Sequence, residues 1–161
     1  MTDQSLSKKT AVLSDCRRYR YSLSRWWGEP GLGYAMFIGL NPSTADEVED
    51  DPTIRRCVSF ARSWGYGGLV MGNLFAYRAT NPAEMMAAND PVGAENDKHL
   101  LALARDARII VAAWGNKGIY QGRGMAVRAL IPSLHALTVT KAGQPGHPLY
   151  LHKTLVPVPL G

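Results

Sequence analysis

Short apolar runs alternate along this chain with segments whose apolar residues have helical spacing. Runs 34–40 and 69–76 are mostly apolar and are bounded by turn-forming residues, which is typical of buried strands. Segment 52–64 has apolar residues three or four positions apart and begins at a proline, which predicts an amphipathic helix. The complete set of predicted strands is 19–27, 34–40, 69–76, 108–114 and 134–139, and the predicted helices are 52–64, 91–107 and 120–130.

This alternation predicts an α/β fold. We expect a three-layer αβα arrangement, in which helices cover both faces of a central, mostly parallel sheet with right-handed crossovers. A length of 161 residues favours one domain over 1–161, of which about residues 1–10 are expected to be flexible. The composition, 46% apolar and 19% charged, excludes an intrinsically disordered chain.

The cysteines and the N-terminus indicate a compartment. Cys16 and Cys57 have no metal-binding spacing, and two cysteines fit a reducing environment. The first ten residues lack the apolar stretch of a signal peptide. The longest apolar run, 109–114, is too short to span a bilayer. We therefore expect a cytoplasmic protein with no membrane association.

Charge is distributed unevenly along the chain. The formal net charge is +5, and the stretch from Arg105 to Lys153 holds seven basic residues and one acidic residue. Such a surface would attract a polyanion, and we expect Arg123 and Arg128 to be exposed. Residues 46–51 carry five acids, which could hold Mg²⁺ or could form a solvated loop. The predicted nucleic-acid contacts are Lys117, Arg123, Arg128, Lys141 and Lys153.

Polar residues stand at or near the ends of the predicted strands, where open α/β sheets place their ligands. Asn41 is followed by a proline that restricts it to an extended conformation, and His147 is followed by a proline in the same way. Asn73 lies within an apolar strand, where a carboxamide needs hydrogen-bond partners. Each of the three is a candidate site residue, and each could instead brace a turn or the core.

The N-terminal segment combines cations and aromatic rings. Arginines 17, 18, 20 and 25 are interleaved with tyrosines 19 and 21 and tryptophans 26 and 27. This pattern could contact phosphates and bases, or it could form one outer face of a strand.

Several motifs, taken in order, resemble the family catalogued as domain of unknown function 1643. They are FIGLNPSTAD, DDPTIRRC, GNLFAYRATNP, AAWGNKG and GHPLYL, and they cover nearly the whole chain. The same motifs also resemble, in their order, the uracil-DNA glycosylase superfamily. In those enzymes one strand ends in Gly-x-(Asp/Asn)-Pro, a later strand carries a base-reading asparagine, another ends in Trp-Gly, and a C-terminal motif begins His-Pro. The matching residues here are Gly39-Leu40-Asn41-Pro42, Asn73, Trp114-Gly115 and His147-Pro148.

The second resemblance implies a uracil-DNA-glycosylase-like fold and a role for each matched residue. Asn41 would position an attacking water, and His147 would stabilise charge on the departing base, so these two are the implied catalytic residues. Asn73 would read the edge of the base. The implied substrate-binding set is Gly39, Leu40, Pro42, Ser43, Asn73, Trp114, Gly115 and Pro148.

Three functions are compatible with the sequence. The first is a nucleobase-directed enzyme that hydrolyses an N-glycosidic bond in a nucleic acid or nucleotide and needs no metal or other cofactor. The second is a non-catalytic nucleic-acid- or nucleotide-binding protein on the same fold. The third is a Mg²⁺-dependent phosphoryl enzyme that uses the acidic run.

Overall fold

The computed structural model describes residues 8–160, which form one seven-stranded mixed sheet and four α-helices. The strand order is β1-β2-β4-β3-β5-β6-β7. The strands are β1 (Lys8–Leu13), β2 (Arg20–Trp26), β3 (Tyr34–Gly39), β4 (Gly68–Asn73), β5 (Ile109–Ala112), β6 (His135–Ala136) and β7 (Val158–Pro159). The helices are α1 (Pro52–Ser63), α2 (Pro82–Ala87), α3 (Asn96–Asp106) and α4 (Arg123–Leu130).

The sheet is parallel at its centre and antiparallel at both sides. Strand β3 pairs in parallel with β4 and β5, and β5 pairs in parallel with β6. Strands β1, β2 and β7 join by antiparallel pairing. The expectation of a mostly parallel sheet is therefore corrected to a mixed sheet, in which antiparallel strands extend a parallel centre. The α/β class itself is confirmed.

Apolar side chains cover both faces of this sheet. On one face, Phe37 packs with Phe60 of α1 in a buried cluster. On the other face, Ile38 belongs to a second cluster, to which α2, α3 and α4 contribute Met85, Leu100 and Val127. Successive residues of β3 thus point to opposite layers, as side chains of a strand buried on both faces must.

Several element boundaries differ from the sequence predictions. Part of the segment expected to be flexible, 8–10, belongs to β1, and residues 1–7 lie outside the described part of the chain. The helix predicted from 91 begins at Asn96, because Gly93 holds a left-handed conformation (φ +89°) that a helix cannot contain. The strand predicted over 134–139 retains only two residues as β6. Within residues 8–160, no helix combines the length and apolar character needed to cross a membrane.

Candidate active site

A cavity of about 590 Å³ lies at the carboxyl edge of the parallel strands. It is lined by the ends of β3 and β4, the loop after β5, the start of α1 and segment 147–150. Pro148 is buried in the turn that follows His147 and is not a lining residue. The predicted site residues that do line the cavity are Gly39, Leu40, Asn41, Pro42, Ser43, Asn73, Trp114, Gly115, Lys117 and His147.

Asn41 is held in a fixed orientation at the end of β3. Its Nδ2 donates to the carbonyl oxygens of Ala79 (2.8 Å) and Pro42 (3.1 Å). The same loop is fastened through its backbone, where the N–H of Ala79 donates to Pro42 (2.9 Å). Both amide hydrogens are thereby used, and the side-chain oxygen accepts no hydrogen bond from residues 8–160. Asn41 therefore presents an acceptor to the cavity, which is the group that can hold a water molecule by its hydrogen.

Asn73 lies opposite Gly39 in the parallel register of β3 and β4. It is 2% exposed, and its Oδ1 accepts a hydrogen bond from Nη2 of Arg20 (3.3 Å). A Cβ added at position 39 would stand 2.9 Å from Nδ2 of Asn73, so only glycine leaves space for the amide here. Because its oxygen is already engaged, Asn73 offers Nδ2 as a donor beside the cavity.

His147 is half-buried and precedes the short 3₁₀ turn Pro148–Tyr150. Its Nδ1 accepts a hydrogen bond from the backbone N–H of Leu149 (3.2 Å). Nδ1 must then be unprotonated, so the neutral ring carries its proton on Nε2. Burial lowers the pKa of His147 below its usual 6.5, and the nearby Asp51 carboxylate opposes that shift only in part. At neutral pH His147 is therefore a neutral donor through Nε2.

The loop after β5 fixes the position of the His147 segment. Gly115 adopts a left-handed conformation (φ +72°), and its N–H donates to Pro145 (2.8 Å). The buried Trp114 donates from Nε1 to Oε1 of Gln144 (3.1 Å). Trp114 lines the cavity, yet its single polar group is committed to this loop. Its observed contacts are those of a bracing residue.

Arg20, one of the four arginines of the N-terminal segment that was predicted either to contact phosphates and bases or to form an outer strand face, lines the cavity. It is 2% exposed, and Nη1 donates to the Ala45 carbonyl (3.0 Å) while Nη2 donates to Asn73. Its buried Nε has no hydrogen-bond partner in the described part of the chain. Burial lowers the pKa of Arg20 to about 10, so the side chain remains a cation at neutral pH.

Tyr150 also lies at the cavity, although it is not among the site residues that the sequence predicts. Its side chain is 86% exposed, and its ring centroid lies 6.2 Å from that of His147. An exposed ring in this position is available for stacking against a flat ligand. The only sequence signal was its place three residues after His147.

Residues 20–149 match the model of a family described as a protein of unknown function (DUF1643). The chain belongs to the DUF1643 family. The family prediction is thus confirmed. The matched range begins at Arg20 and ends at Leu149, and it contains every residue that lines the cavity except Tyr150. Neither the curated proteins nor the solved structures gave a match.

The acidic run of this DUF1643 chain is held by protein contacts. Asp46 accepts from the N–H groups of residues 48 and 49, Asp50 pairs with Arg25 (2.7 Å), and Asp51 caps α1 by accepting from Ile54. Arg17 pairs with Glu47 at 2.7 Å. Within residues 8–160, no group of three or more potential metal ligands is assembled. The described contacts assign these acids to loop anchoring and helix capping.

The predicted nucleic-acid contacts of the C-terminal third are dispersed. Lys117 is exposed at the cavity, whereas Lys141 and Lys153 are exposed but are not lining residues. The expected exposure of Arg123 is wrong. Arg123 is 8% exposed, donates to the Leu74 carbonyl (2.9 Å) and pairs with Asp97 (2.8 Å), so it holds α4 to the end of β4. Arg128 is half-buried, which also departs from the expectation.

Proposed function

We propose that this protein binds a nucleobase in the cavity and hydrolyses the N-glycosidic bond that joins the base to its sugar. The observation that carries the proposal is the complementary orientation of three polar groups around one cavity. Asn41 presents an acceptor, while Asn73 and His147 present donors. Hydrolysis of a glycosidic bond needs both types of group.

In the proposed reaction the acceptor acts on the attacking water, and the donors act on the base. A water held by Oδ1 of Asn41 adds its oxygen to the sugar C1 as the bond from C1 to the base nitrogen breaks. The electron pair of that bond leaves with the base, whose carbonyl oxygen gains negative charge. Nε2 of His147 donates a hydrogen bond to that oxygen, and the proton released by the water finally neutralises the base. A fixed donor of this kind typically lowers the barrier by about 3 kcal/mol.

The ring of His147 supports this role because it is neutral. Protonation at Nδ1 would replace the acceptor of the Leu149 N–H by a second donor and release the ring from its orientation, so only the neutral ring keeps Nε2 in place as the donor. The Leu149 N–H keeps Nδ1 as an acceptor, so the donor must be Nε2. The activity should therefore persist at neutral pH and decline as His147 becomes protonated.

The order of the motifs supports the same reading. The resemblance to the uracil-DNA glycosylase superfamily implies roles for Asn41, Asn73 and His147 that agree with the hydrogen bonds described above. We extend the proposal to a uracil-DNA-glycosylase-like fold. The exposed Tyr150 and Lys117 favour a base that is delivered as part of a nucleotide or a nucleic acid, since one can stack on the base and the other can pair with a phosphate.

The test is a panel of nucleosides and of single- and double-stranded oligonucleotides with modified bases, assayed for release of free base. Asn41→Ala should abolish release with ligand binding retained, and His147→Ala should lower the rate by about 10²–10³-fold. The matched controls are Asn89→Ala and His152→Ala, because both residues are exposed and neither lines the cavity. Binding of a panel member without base release would indicate the non-catalytic alternative.

A further inference from the structure

Three arginines are buried in the described part of the chain, and two of them have an acidic partner. Arg25 pairs with Asp50, and Arg123 pairs with Asp97. Arg20 donates only to the Ala45 carbonyl and to the Asn73 carboxamide, and within residues 8–160 no carboxylate lies in salt-bridge contact with it. A buried cation without a bound counterion is costly, which makes Arg20 an exception that needs an explanation.

The more distant charges around Arg20 oppose one another. Asp51 and Asp46 favour its charged form, while Arg78 and Arg25 disfavour it, and burial outweighs each of them. Arg20 is therefore a desolvated cation at the cavity, and Asp51, which lines the same cavity, acts on it without salt-bridge contact. Its Nε remains without an acceptor.

Asn73 continues the same donor surface. Arg20 occupies Oδ1 of Asn73, so Nδ2 is the remaining polar group of the carboxamide, and it lies beside Gly39 at the end of β3. An adjacent guanidinium and amide donor match an oxygen-rich anion, since a cation with several N–H groups binds carboxylate and phosphate oxygens most strongly.

We propose that Arg20 and Asn73 form an anion subsite of this cavity. The ligand then carries a compact oxyanion, which binds at this subsite, next to the base, which binds in the rest of the cavity. The oxyanion is either an acidic substituent of the base or a phosphoryl group. This inference rests on the proposed function for the rest of the cavity. It extends that function by proposing that the ligand of the cavity belongs to the class of acidic compounds that carry an oxyanion.

The experiment is calorimetric titration of wild-type protein with three probes: orotate, uracil and inorganic phosphate. Orotate and uracil share the pyrimidine ring and differ by a carboxylate, so the pair isolates the contribution of the anion. Orotate should bind about tenfold to a hundredfold more tightly than uracil, the range expected for hydrogen bonds to a charged group. Potassium chloride at equal ionic strength is the control for general salt effects.

Two variants test the assignment to Arg20. Arg20→Gln removes the charge and replaces the guanidinium by a neutral carboxamide. Arg20→Lys keeps the charge and loses the guanidinium. Arg20→Gln should remove the preference for orotate, whereas Arg20→Lys should retain part of it. Arg55→Gln is the matched control, since Arg55 is exposed on α1 and is not a lining residue. Thermal denaturation without ligand verifies folding, and the wild-type titrations decide the question if a variant does not fold.

The outcomes separate this inference from the proposed function. Orotate binding that depends on Arg20 supports the inference with the base as the source of the anion. Phosphate binding that depends on Arg20, with no binding of either pyrimidine, supports the anion subsite with a phosphoryl group as the source of the anion, and base release then judges the nucleobase function separately. Equal binding of uracil and orotate overturns the anion subsite and leaves the nucleobase function standing. Absence of binding by all three probes also overturns the inference, and base release then judges the proposed function separately.

Discussion

Gly39→Ala tests whether the end of β3 is shaped around the Asn73 amide. The added Cβ would stand 2.9 Å from Nδ2 of Asn73 and 2.9 Å from Cε of Met71, whereas ordinary contact begins at 3.4 Å. The Met71 methyl can rotate away at little cost. The Asn73 amide cannot rotate away freely, because its Oδ1 accepts a hydrogen bond from Arg20. Ordinary contact with the new Cβ therefore requires Nδ2 to move by about 0.5 Å.

That displacement affects the hydrogen bond between Arg20 and Asn73 and, through it, the free energy of unfolding. The hydrogen bond from Arg20 to Asn73 is already long at 3.3 Å, so we expect a shift of this size to weaken it. Overpacking of a buried site and weakening of this bond together predict a loss of about 1–3 kcal/mol in the free energy of unfolding. The side-chain amide resonances of Asn73 should move as well, since Nδ2 changes its surroundings.

Urea denaturation and ¹H–¹⁵N spectra of the folded protein measure both effects. Gly31→Ala is the matched control, because a Cβ at that exposed glycine would meet no heavy atom within 4 Å. Equal stability of the two alanine variants, with the Asn73 amide resonances in place, would show that Gly39 does not shape the end of β3 around the Asn73 amide.

Other contacts at and near the cavity have measurable consequences. Burial lowers the pKa of His147, so the unfolded chain takes up the proton first and the wild type loses stability as the pH falls below about 6.5. His147→Gln should remove that part of the slope in urea denaturation between about pH 7 and pH 5, and an unchanged slope would contradict the assignment. Tyr150 is 86% exposed, so Tyr150→Ala should leave the thermal midpoint unchanged while it weakens base binding about tenfold, the low end for loss of a stacking ring. Equal affinity in calorimetric titration would exclude Tyr150 from the site. Asp50→Asn leaves Arg25 buried without its carboxylate and should lower stability by about 3 kcal/mol, and Mg²⁺ should not raise the melting temperature of the wild type. Stabilisation by Mg²⁺ would show that the acidic run binds metal.

The parallel strands at the centre of the sheet could be predicted from the local pattern of apolar residues, and the strands at its edges could not. Strands β3 and β4 are buried on both faces, so their apolar runs were visible in the sequence. Strand β1 is half-exposed and begins with two lysines, so no apolar run marks it, and only its pairing with β2 makes it a strand. The short β7 depends in the same way on β6, a partner more than 20 positions earlier in the chain.

The cavity residues differ in how far the sequence could reveal them. Asn41 was detectable because it precedes a proline just beyond β3, and His147 because it precedes a proline a few residues after the predicted strand 134–139, both on the side where an open α/β sheet binds its ligands. Arg20 was predicted only as one of four arginines in the N-terminal segment, because its partners Ala45 and Asn73 are 25 and 53 positions away and gave no local sign of its place. Arg123 was misjudged for the same reason, since a basic residue in a helix gives no sign that it points inward.

The most direct test of the proposed function is base release in water labelled with oxygen-18. Hydrolysis of the N-glycosidic bond by a water at Asn41 places the label in the hydroxyl group on the sugar C1 and leaves none in the released base. Mass spectrometry of both products measures this, with Asn41→Ala as the inactive comparison. We expect the wild type to place the label in the sugar alone, and we expect Asn41→Ala to release neither sugar nor base. Label in a phosphate group, or no release of base by the wild type from any member of the panel, would contradict it.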